Sequence, residues 1–280
     1  MRLLFLSRPD TGHLYPTLRL AEELGARGHQ VTFASADPYL DESAGPGVHA
    51  IRFGQHERRL LDVPALASVD AVVADPRTVR AATDMAATWG VPVLVAGQNL
   101  AGPAHGWPFE QAHDNYVFTL PGARGTVHYP WRRHGRRPVL LVDGPSLGPL
   151  VRAFADTDWQ VVVSDTGLQE ADVYLTDARL AAVSAGLRAG VPMVLAPRTA
   201  VEIIHAGQVA ALGVGAVVVP SLAEARSEDL RRLVEHLRVD EPTLATARRY
   251  RDLVAIAGAP ETAADQVETL LAAPPLAMAA

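Results

Sequence analysis

Short uninterrupted apolar runs, each followed by a stretch with helical spacing, recur along this chain. Leu3-Leu4-Phe5-Leu6 is the first, and Val31-Thr32-Phe33-Ala34, Ala71-Val72-Val73-Ala74 and Val91-Pro92-Val93-Leu94-Val95 follow. A strand that is apolar on both faces has to be covered on both faces. That is the pattern of a parallel sheet with helices on either side. The intervening segments supply the helices. Leu14, Leu18, Ala21 and Leu24 fall on one helical face. Pro16 is expected in the first turn of that helix, where its missing N–H is not needed. A later helix is expected to end near Trp89-Gly90.

The middle of the chain breaks the pattern. Residues 97–137 are rich in Gly, Pro, His and aromatics and end in Trp131-Arg132-Arg133-His134-Gly135-Arg136-Arg137. A second series then begins with Val139-Leu140-Leu141-Val142. Strands are expected near Gln160 to Val163, Val173 to Leu175, Met193 to Ala196 and Ala216 to Val219, and helices dominate after Ala223. Ser227 is expected to cap the helix that contains Leu230 and Leu233. Pattern alone therefore predicts an α/β protein of two Rossmann-like, doubly wound domains, 1–135 and 136–280, facing each other across a cleft. Ligands in such sheets lie beyond the carboxyl ends of the strands.

Composition removes several function classes. The net charge of -6 argues against nucleic acid or an anionic membrane as the partner. Cysteine is absent, so there is no disulfide, thiolate nucleophile or thiolate metal site. All 25 basic residues are Arg. A Schiff-base lysine and a Walker P-loop are thereby excluded. No apolar run reaches the length of a membrane span, and Met1 to Leu6 is too short for a signal peptide. A cytoplasmic location is expected.

Two stretches carry a family resemblance. One is Gly12-His13-Leu14-Tyr15-Pro16, followed by Arg27-Gly28-His29. The other runs from Asp172 to Val219 and includes Ala189-Gly190-Val191-Pro192-Met193 and Leu212-Gly213-Val214-Gly215. Together they resemble bacterial antibiotic and macrolide glycosyltransferases of the GT-B fold. The resemblance implies that His13 is a general base for an acceptor hydroxyl, on the loop after the first strand. It implies that Asp75, after Val72-Val73-Ala74, orients that His and stabilises its imidazolium. Asp10, Thr11 and Gly12 would border the acceptor site, with Gln98 after a later strand. An Asp-Pro after a strand is also an ordinary helix start, so Asp75 has a purely structural reading as well.

The chain departs from that family in its second half. Asp177-Ala178-Arg179 stands where the resemblance leads one to expect His-Gly-Gly, a turn that opens the helix holding a sugar-nucleotide pyrophosphate. A carboxylate there satisfies the helix amides itself and repels a phosphate. At ~4 Å and an effective dielectric of ~20, each like-charge pair costs on the order of 4 kcal/mol. Arg179 offsets this if it turns inward. Val201-Glu202 stands where the resemblance implies an Asp-Gln that contacts sugar hydroxyls, and Val163 to Glu170 runs into the Asp172 strand without the Trp- and Pro-bearing, base-stacking loop that the resemblance implies. Asp177, Arg179 and Glu202 are therefore read as a degenerate donor site.

His105, Trp107, Phe109, His113 and Tyr116 cluster in the middle segment with Glu110 and Asp114. Their spacing matches no metal motif, and they are read as an aromatic wall for an apolar substrate or as an ordinary amphipathic connection. The run from Arg132 to Arg137 is a solvated linker or a site for an anionic substrate group.

The expectation that follows is a tailoring enzyme for an aromatic or polyketide-like small molecule, with His13 as base and without cofactor or metal. A genuine glycosyltransferase with an altered donor site is the first alternative. A non-catalytic partner of another tailoring enzyme is the second. The natural-product substrate is the expected partner, with a homodimer or a complex with a tailoring enzyme left open.

Overall fold

The computed structural model describes residues 1–9, 11–54, 57–63, 66, 68–98, 116–118, 131, 133–144, 148–164, 167–219, 221–257 and 259–272, without the side chains at 11–13, 57–59, 116 and 118. The chain divides into two compact units. The first comprises the described residues of Met1–Asn99, Gln111–Ala123 and Ile256–Ala280. Its elements begin with β1 (Arg2–Ser7), α1 (Thr11–Ala26), β2 (Gln30–Ser35), α2 (Leu40–Ser43) and β3 (Val48–Arg52). A 3-10 segment (Glu57–Asp62), β4 (Ala71–Ala74), α3 (Val79–Trp89), β5 (Val93–Gly97) and β6 (Tyr116–Phe118) follow. The six strands are parallel, in the order β3-β2-β1-β4-β5-β6.

The second unit holds β7 (Val139–Asp143), α4 (Gly148–Phe154), β8 (Gln160–Val163), β9 (Val173–Thr176) and α5 (Leu180–Ala189). It continues through β10 (Met193–Leu195), α6 (Ala200–Ala211), β11 (Gly215–Val217), α7 (Ser227–Val239) and most of α8 (Glu241–Ala257). Its five strands are also parallel, in the order β11-β10-β9-β7-β8. The last helix, α9 (Pro260–Ala272), returns to the first unit.

Alternation along β1 explains why its sequence is apolar throughout. Leu3 and Phe5 point to the core shared with Leu14, Leu18 and Leu24 of α1. Leu4 and Leu6 point to the opposite core, against Ala82, Met85 and Ala86 of α3. Two helices end alike. Gly90 and Gly190 both cap in the left-handed region at φ 69°, and each is followed by Val-Pro and a strand. The same local sequence thus closes a helix and starts a strand in both units.

Three local expectations are corrected. Pro16 lies inside α1 rather than in its first turn, because the helix already begins at Thr11. Tyr15, as the residue before a proline, is disfavoured in a helix, but Leu14 and Leu18 are buried in the core and hold the turn helical. Ser227 is the first residue of α7 rather than its cap; the N-cap is Arg226. Helix α9 packs with the first unit, whereas the division at residue 135 assigned it to the second half.

Ala263, Ala264 and Val267 of α9 are fully buried in the core that includes α1. The rim is ionic. Arg27 donates to Asp265 Oδ1 at 2.7 Å, to Glu268 Oε2 at 2.9 Å and to the Glu261 carbonyl at 3.0 Å. His29 Nε2 lies 2.8 Å from Glu268 Oε1. That hydrogen bond, aided by Arg27, holds the Glu268 carboxyl below the usual glutamate range. A depressed folded pKa means that the contribution is present above the ordinary glutamate pKa and is lost as pH falls through the folded value. Arg27→Ala is expected to lower the melting midpoint by about 2–4 °C. It is also expected to speed proteolytic release of the C-terminal helix; an unchanged cleavage rate would show that apolar packing alone holds α9.

Candidate functional site

Each sheet reverses strand order once, between β1 and β4 in the first unit and between β7 and β9 in the second. Ligands of open α/β sheets gather beyond the carboxyl ends of the strands at such points.

In the first unit Asp75 follows β4 and is fully buried. Its Oδ2 accepts from the Ser7 hydroxyl at 2.8 Å and the Arg8 N–H at 2.7 Å. Its Oδ1 accepts from the N–H groups of Arg77 at 2.7 Å and Thr78 at 2.9 Å. Thr78 in turn donates its hydroxyl to the Leu6 carbonyl at 2.7 Å. Asp75 therefore ties the end of β1 to the entry of α3, which is the ordinary helix-start role for an Asp-Pro after a strand. Gln98 follows β5 and is also fully buried. Tyr116 opens the edge strand β6.

His13 is the third residue of α1, not a loop residue, and Thr11 and Gly12 precede it in the same turn. The side chains at 11–13 and at Tyr116 lie outside the described residues, as do Asp10, His105, Trp107, Phe109, Glu110, His113 and Asp114 entirely. The run before β7 is partly engaged. Arg133 pairs with Asp172, and the His134 N–H donates to Gln160 Oε1 at 2.8 Å. Among the described residues no group of three His, Cys, Asp or Glu side chains could hold a metal. No described helix is long and apolar enough to cross a membrane.

In the second unit Asp177 follows β9 and is only 4% exposed. Arg179 turns back onto it. Its Nε lies 2.9 Å from both carboxylate oxygens and its N–H 3.2 Å from Oδ1. Arg198 Nη2 reaches Oδ2 at 3.3 Å. Arg179 Nη2 also donates to Asp143 Oδ1 at 3.1 Å, and the Tyr174 hydroxyl donates to Asp143 Oδ2 at 3.0 Å. Two carboxylates and two guanidiniums thus neutralise each other at the reversal of strand order. Burial, reinforced by the charge of Asp143, pushes the Tyr174 phenol up, so it remains a hydrogen-bond donor. The hydrogen bond to Asp177 pushes Arg179 up and keeps it charged.

The turn between β9 and α5 keeps a glycine-like backbone without a glycine. Ala178 is fully buried at φ 67°, in the left-handed region. That conformation costs an L-residue about 1–2 kcal/mol. The Ala178 carbonyl lies 3.1 Å from His205 Nδ1 on α6. An open cavity of about 520 Å³ lies over this network, bordered by Asp143, Ser164, Asp177, Arg179 and Arg198.

Glu202 does a different job. Its carboxylate accepts the N–H groups of Arg198 at 2.8 Å and Thr199 at 2.9 Å, and Thr199 Oγ1 accepts the Glu202 N–H at 3.3 Å. This is a capping box that opens α6. Its signature, Thr199 followed three residues later by Glu202, is present in the sequence. Asp143, Tyr174, Arg198 and His205 were missed. Asp143-Gly144 after an apolar run was the available signal, since Asp75-Pro76 ends a run in the same way.

No family model matches the sequence. The demethyllactenocin mycarosyltransferase of Streptomyces fradiae is 23% identical over 401 residues, covering 95% of this chain and 86% of the relative. That span exceeds the 280 residues of this chain, so the relative carries segments that this chain lacks. Among solved structures, the calicheamicin glycosyltransferase CalG4 matches with a TM-score of 0.76 at 23% identity, over 96% of this chain and 98% of that one. The spinosyn rhamnosyltransferase SpnG, complexed with thymidine diphosphate, matches with a TM-score of 0.72 at 14% identity, over 96% of this chain and 100% of that one. The fold is that of the GT-B glycosyltransferases, and the chain's relatives include enzymes of the antibiotic type.

Proposed function

We propose that this chain, a GT-B-fold relative of antibiotic-type glycosyltransferases, tailors an aromatic or polyketide-like natural product in its first unit without a sugar nucleotide. His13 is the general base of that reaction, and Asp75 positions it by holding Ser7 and Arg8, the residues that lead from β1 towards α1. Proton abstraction by a well-placed imidazole contributes ~10²- to 10⁴-fold, enough for elimination, ring closure or rearrangement of an activated substrate.

The observation that carries this reading is the closure of Arg179 and Arg198 on Asp177. A diphosphate entering there meets a buried carboxylate, and the two cations that would receive it are already paired. The second reading, a transferase with an altered donor site, is favoured by one observation. Arg179 and Arg198 each keep more than half of the side chain exposed, over a cavity large enough for a ligand.

Calorimetry with thymidine diphosphate separates the two. The native protein is expected to bind weakly or not at all. Asp177→Asn removes the repelling charge while keeping the side chain's shape, and it is expected to tighten binding by roughly tenfold or more. A micromolar dissociation constant for the native protein would favour the transferase.

A further inference from the structure

A smaller cavity, of about 120 Å³, lies in the second unit beside the ionic network. Its floor is made where three strands end. Val142 of β7 and Leu175 of β9 are partners in register, and Ala196 directly follows β10. All three are buried in one core cluster, so they stand on one face of the sheet. Leu222, in the segment after β11, packs against the same cluster and supplies a wall. Arg198 and Ala223 are exposed and mark the open side.

Asp177 and Arg198 are the charged residues of the described lining. Both oxygens of Asp177 are already occupied, by Arg179 and by Arg198. Arg179 pairs onward with Asp143, so two carboxylates and two guanidiniums cancel and the cavity offers no net charge. Arg198 keeps donors in reserve. Among the described residues its side chain makes one hydrogen bond, from Nη2 to Asp177 Oδ2 at 3.3 Å, and it is 56% exposed. Its Nε and Nη1 hydrogens are left to another acceptor.

We infer that this cavity binds a neutral small molecule with a compact apolar end, a single ring or a branched chain, and an acceptor oxygen beside it. An apolar cavity of about 150 Å³ takes benzene and otherwise stays dry. A cavity of about 120 Å³ that is open on one side takes a ring whose substituent reaches out past the mouth. The substituent's oxygen accepts from Arg198, a charge-assisted hydrogen bond. An ion gains less. An ammonium meets Arg198, a carboxylate meets Asp177, and either gives up its hydration for a site already neutral. The inference uses neither His13 nor the closure against a diphosphate, so the thymidine diphosphate titration can fail while this one succeeds.

A methyl-resolved NMR titration of the full chain tests it, with benzyl alcohol as the neutral probe and benzoate and benzylammonium as charged counterparts. Benzyl alcohol is expected to shift the methyl signals of Val142, Leu175 and Leu222 saturably. It is expected to bind at least about fivefold more tightly than either ion. Ala196→Leu fills the cavity and is expected to lose at least about tenfold of the benzyl alcohol affinity. Either ion binding as tightly as benzyl alcohol overturns the inference, as does full retention of affinity in Ala196→Leu. Shifts confined to methyl groups elsewhere overturn it too, because the ring then binds outside this cavity. Should Ala196→Leu fail to fold, the ranking of the three probes on the native protein and the positions of its shifted methyl groups still decide.

Discussion

Asp75→Asn is expected to lower the melting midpoint by roughly 6–12 °C, the consequence of losing about 3 kcal/mol. The native carboxylate accepts four hydrogen bonds, two on each oxygen, in a fully buried position. An amide has one oxygen and one donor NH₂ group. If the oxygen keeps the Arg77 and Thr78 N–H groups, the NH₂ faces Ser7 and Arg8. The Ser7 hydroxyl can rotate and accept, but the Arg8 N–H cannot. A buried donor left unsatisfied costs about 1–3 kcal/mol, and the charge assistance to the other bonds is lost as well. Ser7→Ala removes only one of the four bonds to the carboxylate and should cost about 1 kcal/mol. Thermal melts of both variants check the ranking, and an Asp75→Asn midpoint within 2 °C of native would show that the carboxylate does not hold this junction.

The second large effect is on rate. His13→Ala is expected to reduce turnover by ~10²- to 10⁴-fold. The assay substrate is the compound that accumulates when the encoding gene is deleted. Alanine favours helix more than histidine does, so the first turn of α1 should survive and the melting midpoint should move little. Asp75→Asn, compared at equal folded fraction, should cost less turnover, because in the proposed reaction it positions the base without taking the proton. Arg179→Ala is the decisive contrast. If activity survives His13→Ala and falls with Arg179→Ala, the chemistry lies in the second unit and the base assignment fails.

Much of the architecture was legible because it is written in local patterns. Continuous apolar runs forced covered parallel strands, and Leu14, Leu18 and Leu24 marked the buried face of α1. The Gly-Val-Pro sequences at 90 and 190 marked two helix ends, each leading into a strand. Two strands escaped. Val48–Arg52 is only half buried and Tyr116–Phe118 has three residues, so neither has a strong apolar signal.

The candidate sites were legible only in part. That an acid follows β4 and β9 could be read from the chain; which donors it meets could not. Asp75 was assigned to His13 by resemblance, and its four described bonds tie β1 to α3. Glu202 was assigned to a degenerate donor site, and its bonds start a helix.

The sequence by itself determined the class of fold, two parallel α/β sheets, because hydrophobic periodicity and turn residues act over a few positions. It also shows Asp177-Ala178-Arg179 where the family resemblance implies a His-Gly-Gly turn. Only the tertiary structure decided that Arg198, 21 residues from Asp177, joins Arg179 on that carboxylate. It alone brought Arg27 to Asp265 across 238 residues and returned α9 to the first unit. It alone placed Arg8 and Arg77 on one buried acid. The physical reason is range. A helix or strand is selected by neighbours in sequence, whereas a paired charge is selected by whichever group the finished fold places within about 3 Å.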